Sequence, residues 1–157
     1  MLEGFRSANG QNISSQEILK IIETFILEKP EYKYKIFIGT DSENKEKITE
    51  FISVIVVHRV GYGARYFWKK ISTNKKIDLY SRLWQEAILS LELSKKILKL
   101  LLKKNLKFNF EVHLDLGING KSKSVIKELI NLIRGYGLEV KIKPESYAAS
   151  KIADHLF

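Results

Sequence analysis

Apolar and polar positions along this chain change period several times, and each change marks an element. Ile18, Ile21, Ile22, Phe25 and Ile26 recur at helical spacing behind Ser14 and Ser15, either of which can cap. Pro30 closes the segment, so a helix is predicted over about Gln16 to Glu28. A β-rich run follows from Tyr34 to Thr40, then a polar turn from Ser42 to Lys47. Ile48 to Val60 is dominated by β-branched residues, and Gly61-Tyr62-Gly63 separates it from Ala64 to Ile71, which reads as a hairpin.

Asp78 or Ser81 can start a long helix that ends near Lys104, and Phe108 to Leu116 reads as a fourth strand. Gly117 to Lys121 is predicted as a loop. Ser122 or Ser124 then opens a helix that Gly135 and Gly137 end, Leu138 to Lys143 is a short fifth strand, and Ser146 caps a last helix, Tyr147 to Leu156. A hairpin meander followed by two strand-helix units predicts an α/β fold with a mixed five-stranded sheet. Its first three strands are antiparallel, its last two parallel, and an extra helix precedes it.

Two of these strands end in acids. Asp41 closes the run Ile36-Phe37-Ile38-Gly39-Thr40-Asp41, and Asp115 closes the run that begins at Phe108. A carboxylate still inside an alternating, half-buried pattern is electrostatically costly, and a divalent cation is the usual offset. In mixed sheets, sites gather beyond the carboxyl ends of parallel strands. If the two strands are parallel neighbours about 4.8 Å apart, their acids can share one or two cations, which activate a water for attack on a phosphodiester.

The long helix offers Glu86 and Glu92. Leu79, Leu83, Ala87, Ser90, Ser94, Ile97 and Leu101 define its buried face. With Leu83 at zero and about 100° per residue, Glu86 lies about 60° away, at the edge of that face. Glu92 lies about 180° away among Lys95, Lys96 and Lys99, where it reads as a solvated acid paired to Lys95 or Lys96. The last helix supplies Asp154, with Glu145 just before it as a substitute.

Composition narrows the chemistry. The chain has 157 residues, 45% hydrophobic and 29% charged, which fits one folded domain, residues 1–157. It has no cysteine, so any metal is held by oxygen or imidazole, which favours Mg2+ or Mn2+ over structural zinc. Twenty-seven Lys and Arg against 18 Asp and Glu give a net charge of +9, a field suited to polyanions, nucleic acid above all. No apolar run is long enough to span a bilayer, and the expected location is cytoplasmic.

Four stretches together resemble a known family. They are Ile38-Gly39-Thr40-Asp41-Ser42, Val57-His58-Arg59, Glu111-Val112-His113-Leu114-Asp115-Leu116-Gly117, and Lys143-Pro144-Glu145-Ser146 with Ala148-Ala149-Ser150 and Ala153-Asp154. In these the chain is similar, over nearly its whole length, to the bacterial YkuK-like family of predicted ribonuclease H-related nucleases. The resemblance implies a ribonuclease H-like fold in which Asp41, Glu86, Asp115 and Asp154 bind two magnesium ions. The implied activity is metal-dependent hydrolysis of nucleic-acid phosphodiester bonds. The alternative is a nucleic-acid-binding or assembly module of the same fold without catalysis.

Three further signals stand beside ordinary structural readings. His113 shares a strand face with Asp115 and is a candidate to tune the site or carry a proton, although alternating polar residues also mark the less covered side of a sheet. Lys121, Ser122 and Lys123 at a helix start can hold a backbone phosphate, or simply cap the helix. Gly120-Lys121-Ser122 is no nucleotide-binding loop, because Asp115 stands where that motif needs glycine. Lys69 and Lys70, interleaved with Tyr66, Phe67 and Trp68, suit a nucleic-acid track but would equally guard an edge strand.

Overall fold

The structure, a computed structural model, describes residues 2–116 and 123–143 together with Ile152 and Leu156. The expected loop Gly117 to Lys121 lies outside the described residues. So does the expected last helix, except that Ile152 is helical and Leu156 lies in a turn.

The first helix, α1 (Ser15–Glu28), is set by a reciprocal cap. Ser14 Oγ accepts from the Glu17 amide, and Glu17 Oε1 accepts from the Ser14 amide, each at 3.1 Å. The helix buries Ile18, Ile22, Phe25 and Ile26 against the sheet. The hairpin strands β2 (Tyr34–Lys45), β3 (Ile48–Arg59) and β4 (Ala64–Ser72) form the expected antiparallel meander. At the β3–β4 turn, Gly61 and Gly63 have φ of 82° and 99°, a backbone region open to glycine.

The polar stretch from Ser42 is not a turn. β2 runs on to Lys45, and only Glu46 and Lys47 turn before Ile48 pairs back on Lys45. Polarity there reports an exposed ribbon projecting past the sheet, and ladder pairing with β3 overrides the turn composition. A second departure lies at the other edge. A two-residue strand, β1 (Arg6–Ser7), pairs with Trp68 and Phe67 of β4, so the sheet has six strands in the order β1-β4-β3-β2-β5-β6. Two residues carry no periodicity to read, and the strand is held from outside: Trp68 Nε1 donates to the Ser7 carbonyl at 3.0 Å, and Leu2, Phe5 and Ile13 bury against α1.

Asp78 caps α2 (Leu79–Leu101), accepting from the Ser81 amide at 3.0 Å, and Leu102–Lys104 add a 3-10 turn. β5 (Asn109–His113) lies parallel to β2, and β6 (Glu139–Lys141) lies parallel to β5. Between them α3 (Lys123–Arg134) crosses on the face that carries α2, burying Val125, Leu129 and Ile133 against Leu83, Ala87 and Leu91. Both strands are shorter than the expected Phe108–Leu116 and Leu138–Lys143. The pairing nevertheless continues, since Leu114 N donates to the Lys141 carbonyl and Lys143 N to the Leu116 carbonyl, each at 2.9 Å.

Alternation along β2 divides the two sides of the sheet. Tyr34, Ile36 and Ile38 pack with α1 and α2, whereas Phe37 packs with Ile52, Val54 and Val56 on the other face, where Ile152 and Leu156 also lie. Thr40 faces α2, and there a chain of buried hydroxyls ties helix to sheet. Ser90 Oγ and Thr40 Oγ1 are 2.8 Å apart, as are Thr40 Oγ1 and Ser53 Oγ. Serines and Ala87 in place of larger residues let α2 approach β2 closely, and the hydroxyls fix its position along the strand. Leu79, expected on the buried face, is 40% exposed because the helix begins beyond the sheet's end. Thr40→Val, which keeps the shape and removes the hydroxyl, is expected to lower stability by roughly 1–3 kcal/mol in urea unfolding, since it strands the buried hydroxyls of Ser53 on β3 and Ser90 on α2.

Candidate functional site

Register brings the two strand-end acids level. Gly39 pairs with His113 in the parallel β2–β5 ladder, so Asp41 and Asp115, each two residues further on, stand side by side at the strand ends. Asp41 is half-buried on the face of Phe37, and its Oδ1 accepts from the Ser42 amide at 2.8 Å. Glu86 arrives from α2 on the opposite face and reaches the end of β2, where Ser42 Oγ donates to its Oε1 at 3.1 Å. The hydroxyl chain at Ser90, one helical turn on, holds α2 in the position that permits this reach.

Glu86 is only 7% exposed. Burial is the largest influence on its carboxyl and pushes its pKa well above the ordinary value, and the negative charge of Asp41 pushes it further. The Ser42 hydrogen bond pulls the other way, while Asp115 and a direct hydrogen bond with Asp41 add to the rise. The raised value means that Glu86 keeps its proton to higher pH than an ordinary glutamate, and in that form its carboxyl can donate to the Asp41 carboxylate. Asp115 leans instead toward β6, where Lys143 Nζ lies 2.9 Å from its Oδ1. Among the described residues, no three Asp, Glu or His side chains close around one point as a metal cage. Asp41 and Glu86 touch, and Asp115 stands next to them with an ammonium partner.

The ribonuclease H-like family matches residues 17–156 of this sequence. The chain belongs to that family. It is also 32% identical over 162 residues to the uncharacterised protein YkuK of Bacillus subtilis (strain 168), covering 96% of this chain and 94% of that protein. The ribonuclease H-like assignment agrees with the mixed sheet, its antiparallel meander and its parallel crossovers.

Within this ribonuclease H-like frame the remaining candidates separate. Glu92 is exposed, and neighbouring Lys95 lies over the Tyr136 ring, 4.6 Å from its centroid. His113 is buried, stacked on Phe37 with centroids 4.2 Å apart and planes 2° apart, and its Nε2 sits 3.0 Å from Glu111 Oε1. Burial is the main reason its pKa falls below the usual histidine range, so it is a neutral ring donating to Glu111, whose other oxygen lies 3.5 Å from Lys35 Nζ. Alternation places Lys69 and Lys70 on opposite faces. Lys70 shares Asp41's face, two strands away, and lies 3.9 Å from Glu50, whereas Lys69 faces α2 with Ser53 and is cut off from Asp41 by the sheet. Lys123 opens α3 and is exposed. Lys121, Ser122, Glu145 and Asp154 lie outside the described residues.

Sequence reasoning missed Ser42 and Lys143. Composition places Ser42 in a turn, whereas its position after Asp41 in an unbroken strand puts it on the α2 face, beside Glu86. Lys143 follows from the β5–β6 register, since His113 opposite Lys141 sets Asp115 opposite Lys143.

The Glu86 shift has a definite sign for stability. A folded-state pKa above the unfolded value means that the native protein keeps a proton that the unfolded chain has lost. Stability therefore falls as pH rises from the ordinary carboxylate range through the raised value. Glu86→Gln keeps an acceptor for Ser42 and removes that dependence. In metal-free buffer the variant is expected to be more stable than the parent at pH 8, with the difference shrinking at pH 4, as read by urea unfolding at both values.

Proposed function

We propose that this protein is a divalent-metal-dependent nuclease, hydrolysing nucleic-acid phosphodiesters at the acids that end β2 and β5. The observation that carries the reading is Glu86, a buried carboxyl brought by a helix against Asp41 with Asp115 beside them. A fold gains nothing in stability from such a cluster, and acids held together at that cost are characteristic of functional sites. Asp41, Glu86 and Asp115 would hold Mg2+ or Mn2+, completed by Asp154 or Glu145, a set of hard oxygen donors suited to those ions. When bound, such an ion supplies Lewis-acid stabilisation of phosphoryl charge and an activated water.

The rest of the task falls to the chain itself. Ser42 orients Glu86 and, through its amide, Asp41. A proton kept on Glu86 removes one negative charge beside Asp41 in the metal-free protein. The net charge of +9 draws a polyanion to the molecule.

A second reading, a nucleic-acid-binding or assembly module without turnover, draws on Lys143. Its ammonium already lies against Asp115 and supplies positive charge there without any metal ion. The two readings part on labelled RNA, DNA and hybrid substrates with Mg2+ or Mn2+. The nuclease reading predicts cleavage that Asp41→Asn and Asp115→Asn each lower by about 100-fold or more, with unchanged circular dichroism. Cleavage retained in Asp41→Asn would remove the assignment, and salt-sensitive binding with no turnover in any form would establish the module.

A further inference from the structure

The exposed side of α3 carries a line of cations that no acid of the described structure neutralises. With Lys123 at zero and about 100° per residue, Lys127 lies about 40° and Arg134 about 20° round the helix, so the three form one stripe. Asn131 and the half-buried Ile130 flank it, and the helix's own acid, Glu128, lies about 140° away. Lys123, Lys127, Ile126, Ile130, Asn131 and Arg134 line an open groove of about 330 Å³.

Elsewhere some of the described cations meet acids, while others, such as Lys96, Lys99 and Lys103, also have no ion pair among the described residues; what sets α3 apart is that its three cations line one groove. Lys35 meets Glu111, Lys45 and Lys70 meet Glu50, Lys104 meets Glu23, Lys141 meets Glu139 and Lys143 meets Asp115. Lys123, Lys127 and Arg134 have no ion pair among the described residues. The stripe also has a direction. α3 follows β5 through residues 117–122 and runs back antiparallel to it, so Lys123 stands at the end of the sheet that carries Asp41 and Asp115, and Arg134 stands farthest away. The rise is about 6 Å from Lys123 to Lys127 and about 10 Å from Lys127 to Arg134.

We propose that the α3 groove is a track for the phosphate backbone of a nucleic-acid strand, leading it to the acids at the ends of β2 and β5. Phosphates meet Lys123, Lys127 and Arg134, Asn131 donates to a backbone oxygen, and Ile126 and Ile130 receive the apolar edge of sugars. Charge complementarity selects this occupant: every charged residue lining the groove is basic, and the groove leads toward the acids, where a strand is needed. The proposal rests on the nuclease reading for its partner but places contact on residues that reading does not use.

The test is fluorescence anisotropy of labelled single-stranded RNA, single-stranded DNA and an RNA–DNA hybrid across a potassium chloride series. The Asp41→Asn background blocks turnover and lessens repulsion at the acids. Lys127→Ala with Arg134→Ala is expected to weaken binding about tenfold at low salt and to flatten the slope of log affinity against log salt by about 1.4 to 1.8. Lys99→Ala with Lys103→Ala, two exposed cations on α2 and beyond its end, removes equal charge and is expected to leave that slope unchanged. All four positions are exposed, so unfolding midpoints should match the parent.

An unchanged slope in the α3 variant, or an equal loss in the α2 control, overturns the track while leaving the nuclease reading intact. Groove-dependent binding to phosphatidylserine vesicles, with oligonucleotide binding unaffected, overturns it in favour of an anionic surface. No oligonucleotide binding by the parent removes the nuclease reading as well, and calorimetric Mn2+ binding at the acids then shows whether the metal site survives that loss.

Discussion

The contact between Glu86 and Asp41 organises the acid-bearing end of the sheet. An acid at the end of a strand and an acid on a helix would separate if each were free to ionise in water. Here α2 is held by the hydroxyl chain of Ser90, Thr40 and Ser53, and the helix cannot withdraw. The repulsion is relieved instead by a proton, by the Ser42 hydroxyl and, one strand over, by the Lys143 ammonium. These three features are substitutes for positive charge at one place. A divalent cation would replace all of them.

That view links packing to chemistry. Small residues on one face of α2 bring the helix close to the sheet, closeness sets the register, and register presents Glu86 at the end of β2. The parallel β2–β5 pair sets Asp115 level with Asp41 by the same kind of constraint. Each acid is placed by backbone pairing or by buried hydrogen bonds, so its position does not depend on a flexible loop.

Much of this was legible in the sequence, for identifiable reasons. Strong periodicity marks α1, β3 and α2, and helical angles alone separate the buried Glu86 from the exposed Glu92. Element order predicted a mixed sheet and allowed the two acid-ending strands to be parallel neighbours, which the β2–β5 ladder makes them. What escaped depended on partners distant in sequence. β1 is two residues long and exists because Trp68 and the neighbouring ladder hold it. The Ser42–Lys45 ribbon looks like a turn in composition and is a strand because β3 pairs with it. Lys69 and Lys70 look like one basic patch, but alternation sends them to opposite faces. His113, a candidate proton carrier by position, is stacked on Phe37 and bonded to Glu111.

Net positive charge was likewise an incomplete guide. Some of the lysines serve local acids, others solvate the surface, and the cations of α3 are distinguished by lining a groove that is adjacent in topology to the acids.

The measurement that reaches the centre of this account is a 13C NMR titration of the Glu86 carboxyl, assigned by comparison with Glu86→Gln, with and without millimolar Mg2+. The account predicts a titration well above the ordinary glutamate range in metal-free protein and a return to low pH when Mg2+ is present. A Glu86 that titrates in the ordinary range without metal, or one whose raised titration Mg2+ does not move, would contradict it.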